Sequence, residues 1–288
     1  MNKLSRREFL GKSTLGVGSA LLLSKFSPGM AAVPAGTVKM PIGFQTWTIK
    51  DQLVKDFPGT LKMMAGLGYQ SLEMCSPPGY ESSGFGPLKS LKAKEMKKII
   101  NDAGLICESS HYVFDELRKN LSERIDFALE SGQKQMILSS FWIPDKAPLG
   151  DWLKAAEELN KIGEKSKKAG LQMGYHNHHM EFAQIDGKLI YDELMKVLDP
   201  AYVKMQFQVA VISIGYKAVT YFEKYPGRFI SAHLADWSKA DNKQKPIGQG
   251  DVNWKEFFAG IDKGGVKNIF VEMDPETFNE SAKYLHSL

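Results

Sequence analysis

The sequence predicts an α/β chain closed into a (β/α)8 barrel, the TIM-barrel architecture. Eight short apolar runs recur along residues 42–273. Helical patterns with apolar residues three and four apart fill the gaps between them. Several of those helical stretches end on glycine directly before the next run, where a left-handed turn reverses the chain. Strict alternation implies a parallel sheet, and eight repeats in about 250 residues imply closure. The alternative, an open doubly wound sheet, normally carries a glycine-rich phosphate loop after its first strand. Here that strand runs into "TWTIKDQL", with no such loop.

In chain order, residues 1–36 stand apart from the barrel. "SRREFLG" (Ser5–Gly11) pairs two arginines ahead of the apolar run "STLGVGSALLLSKF", and small residues follow around 31–35. This resembles a twin-arginine export signal: charged, then apolar over too few residues to span a bilayer, then cleavable. An uncleaved anchor is the competing reading, and the small residues speak against it. The strands then follow as "IGFQTW" (42–47), "SLEMC" (71–75), "ICESSH" (106–111), "QMILSS" (135–140), "LQMGYHN" (171–177), "VKMQFQV" (203–209), "FISAHLAD" (229–236) and "NIFVEM" (268–273). Gly68, Gly104, Gly132, Gly170 and Gly265 close the helices that precede five of them. Two long connections, 76–90 and 234–253, both follow strands, which puts them on the rim where substrate loops belong. No linker interrupts residues 37–288, so they form one domain. Cys75 and Cys107 fall on neighbouring strands, as two buried thiols or, in an oxidising compartment, a disulfide.

Charge narrows the partners. The chain holds 37 Lys and Arg against 33 Asp and Glu, but Lys3, Arg6, Arg7, Lys12 and Lys25 against Glu8 lie in the leader. Taking five and one away leaves 32 of each sign, so the mature part is formally neutral. A neutral domain has no electrostatic footprint for nucleic acid. Membrane contact is confined to export, and the destination is the periplasm.

Polar residues gather at the predicted C-terminal strand ends: Gln45 and Trp47, Glu73, Ser109 and His111, Ser139 and Ser140, then His176, Asn177 and His178. Gln206 and Gln208, His233 and Asp236, and Glu272 and Asp274 complete the circle. Strand interiors do not usually carry carboxylates and imidazoles unless these are paired or hold a ligand. In "MGYHNHHMEF" (173–182), His178 shares a face with His176 and suits substrate orientation or proton transfer, while His179 points away. Glu181 lies just beyond the strand, within reach of a sugar hydroxyl, and Gln206 is a further substrate-binding candidate. Trp47, Trp142 and Trp237 suit stacking on the apolar face of a sugar ring, or equally the packing of the rim.

These residues resemble the xylose isomerase-like TIM-barrel superfamily, described as sugar phosphate isomerases and epimerases, with inosose dehydratases and apurinic endonucleases among its relatives. The likeness covers residues 40–275 and rests on "YHNHHMEF", "KYPGRFISAHLADW" (224–237), "IGQGDVNW" (247–254) and "VEMDP" (271–275), in that order and spacing. It implies one divalent cation, often manganese, held from strands five to eight by Glu, Asp, His and Glu. Carried across position by position, the ligands are His176, Gln208, His233 and Glu272. Two of the four depart from the family's pattern. Imidazole replaces a carboxylate at 176, and Gln208 offers only a neutral carbonyl. One negative charge then stands where the family has three, which favours zinc or iron over harder cations.

The resemblance also implies proton abstraction beside a carbonyl, with the ion stabilising the enediolate charge. Glu272 is the first candidate to move the proton, and Glu73, His111 or His178 the second group. Export makes the substrate an unphosphorylated sugar or keto-sugar. The expected activity is isomerisation or epimerisation. The alternatives are β-elimination from a 3-keto-glycoside at the same site, and a carbohydrate-binding barrel without catalysis. An abasic-site endonuclease lacks its basic surface.

Overall fold

A computed structural model describes residues 38–144 and 146–288, so the leader assigned to residues 1–36 lies outside the described residues. All eight expected strands form: β1 (Ile42–Gln45), β2 (Ser71–Cys75), β3 (Ile106–Tyr112), β4 (Gln135–Leu138), β5 (Gln172–His176), β6 (Val203–Gln208), β7 (Phe229–Leu234) and β8 (Asn268–Val271). Each pairs in parallel with its neighbours in sequence, and β8 pairs with β1 through Ile42↔Ile269 and Phe44↔Val271, which closes the barrel. A helix follows every strand: α1 (Phe57–Gly66), α2 (Ala93–Asp102), α3 (Phe114–Ser131), α4 (Leu149–Lys168), α5 (Ile190–Val197), α6 (Ala218–Lys224), α7 (Trp254–Gly264) and α8 (Phe278–Ser287). Among the described residues, no helix is long and apolar enough to cross a membrane.

Local chemistry sets the ends of these elements. Asp56 caps α1 by accepting from the Gly59 N–H, and Asn253 caps α7 by accepting from Glu256. Gly132 and Gly265, the glycines past α3 and α7, stand at φ 86° and 88°, in the left-handed region that favours glycine. Outward strand residues such as Leu72, Met74, Phe207 and Val271 are buried beneath the helices, as expected of a sheet covered on its outer face. Cys75 and Cys107 are free thiols.

The inward face differs from the branched apolar filling common in such barrels. Buried polar groups span the lumen: Gln135 of β4 donates to Asn268 of β8 on the opposite wall. Higher up, Glu73 of β2 meets Gln206 of β6, again across the diameter. Polar filling requires close walls. A Cβ added to Gly43 of β1 would stand 2.5 Å from the Phe270 ring and the Ser71 hydroxyl and 2.8 Å from a β8 carbonyl. Gly43→Ala is therefore expected to cost about 1–3 kcal/mol by overpacking, read as a shift in denaturation midpoint at unchanged m-value.

Two rim segments complete the mouth. Residues 76–90 form two turns of 3-10 helix, and their Tyr80 and Phe85 pack against Trp47. Residues 236–245 fold into an antiparallel ribbon, Asp236–Ser238 against Lys243–Lys245. A shorter ribbon, Gln184–Ile185 against Lys188–Leu189, follows β5.

Candidate active site

The ribbon is held by one side chain. Asp236, buried at the end of β7, accepts from the N–H groups of Trp237, Gly248, Gly250 and Val252 and from Trp254 Nε1, at 2.8–3.2 Å. "LADW" and "IGQGDVNW" are thus two halves of one clamp: the first supplies the carboxylate, the second its donors. This is a structural role, and a carboxylate encircled by hydrogen bonds is the form in which burial is tolerated.

Inside the clamp, β3, β5 and β7 bring three imidazoles together. Ligand nitrogens of His111, His176 and His233 all lie within 4.8 Å of one another, and the three side chains are buried. The His176 and His233 rings sit 4.3 Å apart, and His111 stacks parallel to His233 at 5.0 Å. Three rings packed this closely repel as cations. Burial, and then the charge of His233, His178 and His111, holds His176 well below the usual histidine range. Its Nδ1 is buried without a partner.

Carboxylates stand on either side of the imidazoles. His233 Nε2 lies 2.6 Å from Glu73 Oε2, and its Nδ1 lies 3.0 Å from Glu272 Oε2. Burial alone lowers an imidazole, yet the two carboxylates outweigh it and carry His233 up to about 9. Burial raises Glu272 in turn, but His233 outweighs it and holds the carboxyl at about 2. Glu73 behaves alike: against burial, His111 and His233 keep it well below the ordinary carboxylate range.

The structure corrects several expected roles. Glu73, a candidate proton carrier, lies fully buried beneath the imidazoles, ringed by Gln45, Ser109, His111, Gln206 and His233, and does not reach the mouth. Gln206, expected to bind substrate, is also fully buried. Its amide nitrogen donates to Glu73 and Ser231, and its oxygen faces His111. Glu181 is buried too, accepting from the Tyr175 hydroxyl and from the His178 N–H at 2.7 Å, so it shapes the turn after β5. Gln208, expected as a ligand, donates to Glu272 Oε2 at 2.6 Å while its carbonyl accepts from Ala210 N–H. Its oxygen is taken up by that backbone bond, and His111, expected only as an acid or base, joins His176 and His233 in the cluster.

The remaining candidates face the mouth. His178 is half-buried, edge-on to His176 at 4.8 Å, with Nδ1 lacking a partner; burial takes it down to about 4 against the pull of Glu272. Trp142 is 53% exposed, with its ring 6.4 Å from His178, and its φ of 53° is unusual for a bulky residue. Trp47 and Trp237 are partly buried in the rim, and His179 is exposed.

The cluster fits a divalent ion. Its donor set is three imidazoles with a carboxylate at the edge, and one buried nitrogen lacks any other partner. The sequence singled out His176, His233 and Glu272; the place of His111 depends on the closeness of opposite walls, which no motif encodes. Trp254 was missed as well, and only its position four residues past the second glycine of "IGQGDVNW" hinted at the clamp.

The chain is similar to known proteins in sequence and fold. A protein described as inosose dehydratase from Clostridium perfringens (strain 13 / Type A) is 27% identical over 200 residues, 58% of this chain and 67% of the relative. One of the same description from Lacticaseibacillus casei is 26% identical over 150 residues, 45% of this chain and 50% of the relative. A solved structure of a sugar phosphate isomerase/epimerase from Parabacteroides distasonis ATCC 8503 superposes with a TM-score of 0.72 at 28% identity, covering 91% of this chain and 98% of that one. Residues 61–288 match the family described as xylose isomerase-like TIM barrel, and the chain belongs to that family.

Proposed function

We propose that this chain is a metal-dependent enzyme that removes a proton beside the carbonyl of an unphosphorylated sugar or keto-sugar, leading to isomerisation or epimerisation. The observation that carries this reading is the meeting of His111, His176 and His233 under a mouth lined by His178 and Glu272. The three imidazoles, with Glu272 at their edge, would hold the ion. A nitrogen-rich set favours zinc or iron over manganese. When bound, such an ion supplies Lewis-acid polarisation of a carbonyl.

The chain's own groups supply the rest. His178 carries a buried Nδ1 with no partner, on a ring set against His176, so it is our candidate to take the proton. Glu272, held by Gln208 and His233 through Oε2, keeps a fixed orientation toward the same space. Trp142 offers an exposed apolar face beside His178. The leader's composition supports export to the periplasm, where phosphorylated sugars are not the common currency. A second reading, elimination, is favoured by the dehydratase names of two relatives, since loss of water beside a carbonyl begins with the same proton abstraction.

The test is exchange in D2O with purified mature protein and a panel of keto-sugars, followed by NMR. Metal-dependent loss of the α-proton signal is expected; its absence on every keto-sugar, with metal supplied, would contradict the reading. His178→Ala is expected to keep the metal and lose about 10²–10⁴-fold in kcat, checked by metal content alongside kinetics. Gln208→Asp separates enzyme from simple binder. It replaces a donor to Glu272 with a second carboxylate, which is expected to cost the metal-free protein about 1–3 kcal/mol and to tighten divalent binding. Melting curves with and without chelator show both effects.

A further inference from the structure

We propose that Glu73 is a positioning residue that keeps the ring hydrogen of both His111 and His233 on Nε2, so that each ring presents Nδ1 to the ion. The inference rests on the metal-dependent reading above but assigns a role to a residue that reading leaves unused. Its basis is the ring of donors that surrounds one carboxylate.

Two amides fix the pattern. Gln45 Oε1 accepts from the Trp47 N–H at 2.7 Å, so its Nε2 is the end that faces Glu73 Oε2. Gln206 Nε2 lies 2.8 Å from Glu73 Oε1. Each Glu73 oxygen therefore already accepts from an amide, and Ser109 Oγ adds a third bond at 2.5 Å on Oε1. A group surrounded by donors serves as acceptor throughout.

The two imidazoles complete the ring of donors. His233 Nε2 and His111 Nε2 approach the same oxygen, Oε2, at 2.6 and 3.0 Å. A lone pair on either nitrogen would repel that oxygen, so both carry hydrogen. For His111 a second contact demands the same: Gln206 Oε1, turned by its own amide's bonds, lies 2.7 Å from the same Nε2. One shared anchor also explains why the two rings lie parallel, 16° apart. What remains to each ring is Nδ1, and on His233 that atom faces Glu272. A carboxylate behind a ligating imidazole fixes its tautomer and orientation; here one carboxylate serves two rings from opposite sides of the barrel.

The experiment uses the mature chain with ring-15N histidine, wild type and Glu73→Gln, with and without zinc, together with zinc affinity by chelator competition. Wild type is expected to show hydrogen on Nε2 of both rings in either state. In Glu73→Gln at least one ring should lose that pattern, with zinc affinity down about 10–100-fold. Ser109→Ala, which removes a bond from Oε1 alone, should leave the ring pattern intact, so a loss confined to Glu73→Gln is not general loosening. A folded Glu73→Gln with unchanged rings and unchanged zinc affinity would overturn the proposal. If that variant does not fold, an Nε2 without hydrogen on either ring of the wild type overturns it equally. Failure of the wild type to bind zinc would strike at the metal-dependent reading instead, while the metal-free spectra still decide the role of Glu73.

Discussion

His233→Ala is expected to abolish metal binding and to unfold the protein at a temperature about 6–20 °C lower than wild type. The physical reason is charge. Among the described residues His233 is the one group bonded to both Glu73 and Glu272, and it is completely buried between them. Removing it leaves two carboxylates in the barrel without their counter-charge, a change that costs about 3–5 kcal/mol. His176→Ala provides the contrast. Its Nδ1 has no partner and its ring is held in the uncharged form, so its loss leaves no ion unpaired. When metal-free, that variant should lose only the packing of one buried ring and no charge pairing, so it melts above His233→Ala. It should still lose at least about 100-fold in metal affinity, the upper end of what losing a mere supporting partner costs. Calorimetric melting and metal titration of the two variants measure the split. Equal destabilisation by both would mean the cluster is a packing unit rather than a ligand set.

Asp236→Ala is expected to be the most damaging change outside the imidazole cluster. Four backbone N–H groups and the Trp254 indole lose their common acceptor, in a place where Trp254 and Ile247 are already buried. A buried charge that satisfies several donors is worth more than any single bond, and the expected loss is about 3–5 kcal/mol. Asp236→Asn should lie between alanine and wild type, because its nitrogen faces donors while its oxygen still accepts. Amide hydrogen exchange locates the effect: protection should fall at Gly248, Gly250 and Val252 first. Uniform loss of protection across the barrel would instead place Asp236 in the global core.

The fold was readable because its determinants are local. Eight apolar runs with glycine-ended helices between them fix alternation, and alternation fixes a parallel barrel. The two ribbons escaped notice because strands of two or three residues leave no periodicity to read. The site was readable in part. His176, His233 and Glu272 stand at strand ends, where residue type and register alone place them at the mouth. The roles of His111, Gln206 and Glu73 depend on contacts across the barrel's diameter, between residues 95 to 160 positions apart. Gln208 shows the same limit: the family resemblance put it at a ligand position, but its carbonyl is claimed by the N–H of Ala210 two residues on.

The metal-dependent reading requires that tips of separate strands bring their imidazoles to one point where a cation binds. Anomalous scattering from crystals of the mature protein soaked with zinc, iron or manganese tests it most directly. The predicted result is a single peak in contact with His111, His176 and His233, with Glu272 beside it. No peak at that point, or one that none of these imidazoles touches, would contradict it.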